Sequence, residues 1–194
     1  AVIIGQRVTD AQQQFALDAK VLIEDQSITV VGGTATYSLN SDFMWEKKVT
    51  YKGMKLDPIS RAELEEVSRG DDWTDDTGDP RYYIIDPEQA RRQIRFFPYP
   101  PSGDAGGTAV MTYFPLPADM SATGDVPLDS TTLLYQFHPG LAAWAAWLLL
   151  AYESMTPAIA LKRQTLLSQY NDTVTQAVDT FKNTVSAPIR RRIQ

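Results

Sequence analysis

Five aspartates crowd the segment Asp71-Asp72-Trp73-Thr74-Asp75-Asp76-Thr77-Gly78-Asp79-Pro80, where the chemistry of a hard cation could gather. Calcium loops of the helix-loop-helix kind alternate oxygen ligands and place glycine sixth. Counted from Asp72, the third position is Thr74 and Gly78 falls seventh, so the pattern fails and the segment reads as an irregular, solvated loop. Imidazole chemistry has one candidate, His138, and thiol chemistry has none, which removes thiolate zinc sites, disulfide frameworks and cysteine nucleophiles. A serine triad would need a Gly-x-Ser-x-Gly elbow, which is absent; His138 precedes Pro139 at a helix start, a capping or packing position. No Gly-x-x-x-x-Gly-Lys cradle for phosphate occurs. Paired carboxylates could serve a glycosidase, yet among 24 acidic residues such pairs arise by chance. No catalytic residue, metal ligand or cofactor is expected.

Charge carries more information. The formal net charge is −6, but residues 1–156 hold 12 basic and 22 acidic groups while residues 157–194 hold 6 basic and 2 acidic. An acidic body argues against a nucleic-acid reader, which needs a basic face to displace counterions. The basic end, Ile189-Arg190-Arg191-Arg192-Ile193-Gln194, can be read as a linear motif docking on an acidic partner, as a grip on DNA phosphates, or as a solubilising terminus. The isoleucines flanking the arginines favour docking, which makes Ile189, Arg190, Arg191, Arg192 and Ile193 the candidate docking residues. The longest apolar run, Leu141 to Tyr152, falls short of the roughly 20 residues a spanning helix needs, so a soluble protein is expected. The opening Ala-Val-Ile-Ile, without methionine, reads as a trimmed or processed amino terminus.

The elements that must hold these residues follow from periodicity. Ile4, Val8, Ala11, Phe15, Ala19 and Leu22 recur at helical steps. From residue 27 the period becomes two, and Ile28 to Val31 with Ala35 to Leu39 around Gly32-Gly33 read as a hairpin. Glu46 to Tyr51 turns at Lys52-Gly53 and returns through Met54 to Leu56. Ser60 with Glu63 forms a capping box for a short helix ending near Arg69-Gly70. Three further strands are expected at Arg81 to Ile85, Gln93 to Phe97 and Thr108 to Phe114. His138-Pro139 then opens a helix that is apolar nearly all round and so needs cover on most sides. Thr156-Pro157 opens an amphipathic one with Leu166, Tyr170, Val174, Ala177, Phe181 and Val185 on its apolar stripe. The expected architecture is α+β, a helical bundle from both chain ends with an inserted, mostly antiparallel β-unit. Its divisions are 1–26 (helical), 27–128 (β-rich with one short helix), 129–185 (two helices) and 186–194 (basic tail).

In this order the signals resemble the head-to-tail adaptor proteins of tailed bacteriophages, the connector or neck class that includes the tail tubular A type. Gly33-Thr34-Ala35-Thr36-Tyr37-Ser38-Leu39 is similar to that family's first hairpin, with Asn40 where a proline often stands. Val49-Thr50-Tyr51-Lys52-Gly53, Leu56, Pro58-Ile59-Ser60 and Glu63-Leu64 resemble its strand, turn and short-helix passage. Trp73, Thr77-Gly78 and Pro80-Arg81-Tyr82-Tyr83-Ile84 resemble the next link. Phe97-Pro98-Tyr99-Pro100, Val110-Met111-Thr112-Tyr113-Phe114 and Val126-Pro127-Leu128 resemble the strands and bridge that follow. The resemblance spans residues 27 to about 155. Family members begin with more helix than this chain supplies.

The resemblance implies a structural virion protein of the neck, assembled in the host cytoplasm. It would be a ring, commonly of twelve subunits, joining the portal to a tail nozzle or tail-tube protein and passing double-stranded DNA without reading its sequence. Leu141, Trp144, Trp147, Leu148 and Tyr152 become candidates for core and ring contacts, and Ile189 to Ile193 for portal docking. Two other readings stand beside it. One is a tail-associated carbohydrate-binding or carbohydrate-hydrolysing protein using exposed aromatics such as Trp73 or Tyr99; the other is a different tail-completion structural protein.

Overall fold

The computed structural model describes residues 2–67, 73–85, 93–120, 125–128 and 134–185. The chain divides into two compact units, Ile23–Pro115 and the remainder, Ala1–Leu22 with Leu116–Gln194.

Ile23–Pro115 is built on seven strands: β1 (Glu24–Val30), β2 (Thr36–Ser38), β3 (Phe43–Tyr51), β4 (Met54–Pro58), β5 (Tyr82–Ile85), β6 (Gln93–Phe97) and β7 (Gly107–Pro115). They form one sheet in the order β1-β7-β3-β4-β5-β6-β2. Every pairing is antiparallel except β4 with β5, where Asp57 meets Tyr82 and Pro58 meets Tyr83 in parallel. Alternation puts one face of the strands inward, and Ile28, Val30, Val49, Tyr51, Leu56, Tyr83, Ile94, Phe96, Ala109, Met111 and Tyr113 make a common core.

The β3–β4 hairpin forms as expected. Val49 pairs with Leu56 and Tyr51 with Met54 across a two-residue loop in which Lys52 (φ 48°) and Gly53 (φ 81°) are both left-handed, the geometry that matches strand twist. The Ser60 capping box also forms. The Glu63 carboxylate accepts from the Ser60 backbone N–H (2.8 Å) and hydroxyl (2.7 Å), while Ser60 Oγ accepts from the Glu63 N–H (3.2 Å). It opens α2 (Arg61–Val67), whose Leu64 packs with Ile84, Ile59 and Phe97. The expected helix end at Arg69-Gly70 lies outside the described residues.

One expectation is corrected here, and one irregularity appears that periodicity does not show. The hairpin around Gly32-Gly33 has no ladder of its own: β1 pairs with β7 and β2 with β6. The glycine turn is drawn off toward another loop, with the Gly33 N–H bonded to the Pro100 carbonyl at 2.7 Å. Strict alternation would also carry Lys47 inward beside Val49 and Tyr51. The ladder instead slips between Glu46 and Lys48, so that Lys47 and Lys48 are both exposed and the lysine stays out of the core.

The other unit holds α1 (Val2–Ala19), α3 (His138–Leu149) and α4 (Pro157–Val185). Phe15, Ala19, Val21, Leu128, Leu134, Phe137, Leu141, Tyr170 and Ala177 form its core. α1 ends earlier than periodicity suggests, because Lys20 turns left-handed (φ 51°) and closes the helix on the Ala16 carbonyl. Its buried polar residues tether the bridge after β7. Thr9 Oγ1 accepts from the Met120 N–H (3.0 Å), and Gln12 joins the Ala118 carbonyl to the Leu128 N–H. Thr156 caps α4 through the Ile159 N–H (3.3 Å), as its placement before Pro157 predicts.

His138 does not cap α3. The helix already includes it, Phe137 holds the cap position, and no side-chain bond closes the start. The imidazole instead donates from Nε2 to the Pro127 carbonyl (3.2 Å) and packs on Tyr135 with ring centroids 4.6 Å apart. α3 also stops at Leu149 and tightens into a 3-10 turn, Leu150–Tyr152, where one continuous helix to about residue 154 is expected from sequence.

Candidate assembly surface

α3 carries no charge between Gly140 and Leu149, so nothing in its sequence defines a solvent side. Packing defines one. Gly140, Leu141, Ala143 and Ala145 are buried, whereas Trp144, Trp147 and Leu148 are half-buried. The close side rests on α4 at Gly140, where a Cβ would stand 2.5 Å from Thr173 Cγ2 and 2.6 Å from Thr173 Cβ. Only a residue without a side chain lets the two backbones approach so far.

The candidate residues fall into two groups. Leu141 is core, among Phe15, Phe137 and Tyr170. Trp144 stacks on Trp147 (4.9 Å, 14° between planes) and touches Tyr170 (4.5 Å). Tyr170 donates to Asp18 (2.7 Å), and its burial, with that carboxylate beside it, pushes the phenol far above the ordinary range. Trp147 leads outward from the stack, with the Arg163 guanidinium 4.4 Å above its ring. Tyr152, a candidate for core or ring contact, is 74% exposed on the 3-10 turn and so lies outside the subunit's core.

Sequence reasoning missed the rest of this surface. Met155 is 61% exposed and Leu161 66%, which extends the apolar surface around the α3–α4 turn. Between Leu148 and Leu161 the only charge is Glu153. Two arginines lie over its aromatic faces. Arg7, paired with Asp10 (2.7 Å), sits 5.2 Å over the Tyr152 ring and also donates to its hydroxyl; Arg163 covers Trp147. The Nε atoms of both arginines are buried without a hydrogen-bond partner. A signal for the second pairing exists in the sequence. An antiparallel hairpin turning at about residues 155–157 brings Trp147 to Arg163, Trp144 to Tyr170 and Gly140 to Thr173, as observed.

Nothing at this surface resembles a reaction centre. No group of three or more metal-ligating side chains gathers among the described residues, and no helix there is long and apolar enough to cross a membrane. Tyr99 is half-buried in a parallel bridge with Thr77, while the Trp73 side chain lies outside the described residues. Ile189, Arg190, Arg191, Arg192 and Ile193 also lie outside them.

No curated protein matches the sequence. The model of the SU10 adaptor protein family matches residues 1–192. With that match along almost its whole length, the protein belongs to the SU10 adaptor family, a family of phage head-to-tail adaptors.

Proposed function

We propose that this chain forms a ring, of about twelve subunits, that joins the portal to the tail nozzle or tail tube and lines part of the channel for DNA ejection. Family membership makes it a structural adaptor of the phage particle, associated there with other virion proteins. In the proposed ring the helices from both chain ends bundle and pack subunit to subunit, and the β-unit faces the tail. Ile189 to Ile193 dock on the portal. The acidic body lets DNA slide past without phosphate binding, and the chain catalyses nothing.

The exposed apolar residues around the α3–α4 turn, Tyr152, Met155 and Leu161, are the observation that carries this reading. Surfaces of that kind mark interaction sites. Mass photometry of the cognate portal, with and without the protein, tests it. Twelve copies of 21.6 kDa add on the order of 260 kDa. An intact portal with no added mass would sink the proposal. Removing residues 186–194 is expected to weaken portal binding, and undiminished binding would refute the docking role of the tail.

A further inference from the structure

The Arg163 guanidinium is held 4.4 Å over the Trp147 ring, yet it makes no ion pair or hydrogen bond among the described residues. The residue is half-buried, and its Nε is buried with nothing to bond. A guanidinium is a planar fork of N–H donors that fits a carboxylate, and no carboxylate of its own chain meets this one among those residues. Unused carboxylates stand elsewhere on α4. Asp172 follows the buried Tyr170 by two residues, and Asp179 follows the buried Ala177 by two. At about 100° per residue each is turned about 200° from the core-facing side. Both are exposed, and neither has an ion pair or hydrogen-bond partner among the described residues. They lie on one line of the helix, about 10.5 Å apart along its axis. Leu161, 66% exposed and about three turns before Asp172, continues that line.

We propose that Arg163 of one copy pairs with the Asp172–Asp179 line of the next copy. This inference rests on the ring reading and adds to it the charged contact between neighbouring subunits. The occupant is a second copy because the complement lies on this same chain, on a different side of α4. Arg163, two turns before Tyr170, stands on the core-facing side, and the aspartates stand opposite. Two unlike faces that match each other make a head-to-tail contact, which can repeat around a closed ring. A face that matched only itself would stop at a dimer. Exposed ion pairs ordinarily contribute little, because two long side chains must be ordered and water competes. Arg163 departs from that case. Trp147 already fixes its plane and covers one side, so the fork is ordered and partly dry before a carboxylate arrives.

Cross-linking on the portal-bound ring tests the contact. Arg163→Lys keeps the charge and supplies an amine that a carbodiimide joins to an adjacent carboxylate. Unlabelled and heavy-isotope Arg163→Lys chains are mixed, assembled on the cognate portal and checked for added mass. Mass spectrometry should then find the introduced lysine joined to Asp172 or Asp179 in pairs that mix the two isotopes. Pairs of one isotope only would be links within a chain, and links to portal peptides or to other carboxylates alone would put the cation elsewhere. Either result, or no link at all, overturns the pairing and leaves the ring reading standing. A wild-type chain that adds no mass to the portal overturns both. Should Arg163→Lys not assemble, charge exchange decides. Arg163→Asp should weaken ring formation by roughly ten-fold or more, and Asp172→Arg with Asp179→Arg in the same chain should restore it. An Arg163→Asp ring as complete as the wild type, or an exchange that restores nothing, refutes the contact.

Discussion

The closest approach of α3 and α4 turns on Gly140, and its replacement by alanine is a sharp test of how the helical unit is built. The added Cβ would meet Thr173 at 2.5 Å (Cγ2), 2.6 Å (Cβ) and 2.7 Å (Oγ1). Relaxed contacts between non-bonded carbons lie near 3.5–4.0 Å, so the overlap is about 1 Å. Rotation of the threonine moves two of the three atoms and leaves its Cβ in place. Overpacking of this kind costs about 1–3 kcal/mol, and three overlapping atoms put it near the upper end. Alanine returns about 1 kcal/mol of helix propensity over glycine, leaving a net loss of about 2 kcal/mol. For a chain of this size that lowers Tm by about 4–8 °C. Thermal unfolding followed by far-ultraviolet circular dichroism reads the helical unit. Thr173→Gly removes all three clashing atoms. The double variant should therefore recover much of the loss that Gly140→Ala incurs, a coupling of about 2 kcal/mol in the cycle. A Gly140→Ala variant as stable as the wild type, or a double variant no better than Gly140→Ala, would refute the close crossing.

Three further outcomes are expected. Burial holds Tyr83 and Tyr113 up at about 12 and raises Tyr170 further still, against an ordinary phenol value of 10.0. In this range the unfolded chain loses those protons before the folded one, so their stabilising effect is complete below pH 10 and declines as pH rises through 10 toward the folded values. Unfolding midpoints across pH 8 to 12 should show that decline, and a midpoint constant throughout would contradict the buried phenols. Ser60→Ala removes both the cap on the Glu63 N–H and a donor to the Glu63 carboxylate, and should cost about 1 kcal/mol in urea unfolding. Leu161→Asp, at a site 66% exposed, should leave the subunit's stability within about 0.5 kcal/mol of wild type. The same change is expected to abolish added mass on the portal ring, and a ring of normal mass would remove Leu161 from the contact surface.

What could be read from the sequence was local. The turn at Lys52-Gly53, the Ser60–Glu63 box, the Thr156-Pro157 start and the stripe through Leu166, Tyr170 and Ala177 each depend on residues within one or two turns of each other. The misreadings share a different origin. Gly32-Gly33 looks like a hairpin turn until the Pro100 carbonyl, 67 residues on from Gly33, takes up its N–H. The strand read at Glu46 to Tyr51 carries no sign of the slip against β7 that leaves Lys47 exposed. The position of His138 leaves capping and packing both open, and the Pro127 carbonyl with the Tyr135 ring decides for packing. Each of these choices is made by a partner distant in sequence, and short-range periodicity carries no information about it. The assembly surface was half legible for the same reason. The uncharged run from Leu141 marks α3 as needing cover, while the identity of its covered side depends on where α1 and α4 fall.

The amount of cover available explains why this run stays so apolar. Two neighbouring helices can bury one side of a third, and here Gly140, Leu141, Ala143 and Ala145 are the buried residues, with Gly140 letting α4 come close. The bulky side chains, Trp144, Trp147 and Leu148, are left half-buried, and Tyr152 beyond them is exposed. Unlike α4, where Tyr170 is buried and Asp172 exposed, α3 has no polar residue beyond His138 to turn outward, so its outer side stays apolar. Arg7 and Arg163 then have a definite part in the free subunit. Stacked on Tyr152 and Trp147, their aliphatic stems shield aromatic faces while their charged heads stay hydrated, which keeps an otherwise sticky surface soluble. A partner that seats on this surface must displace or engage both guanidinium groups, and for Arg7 displacement also breaks its bonds to Asp10 and to the Tyr152 hydroxyl.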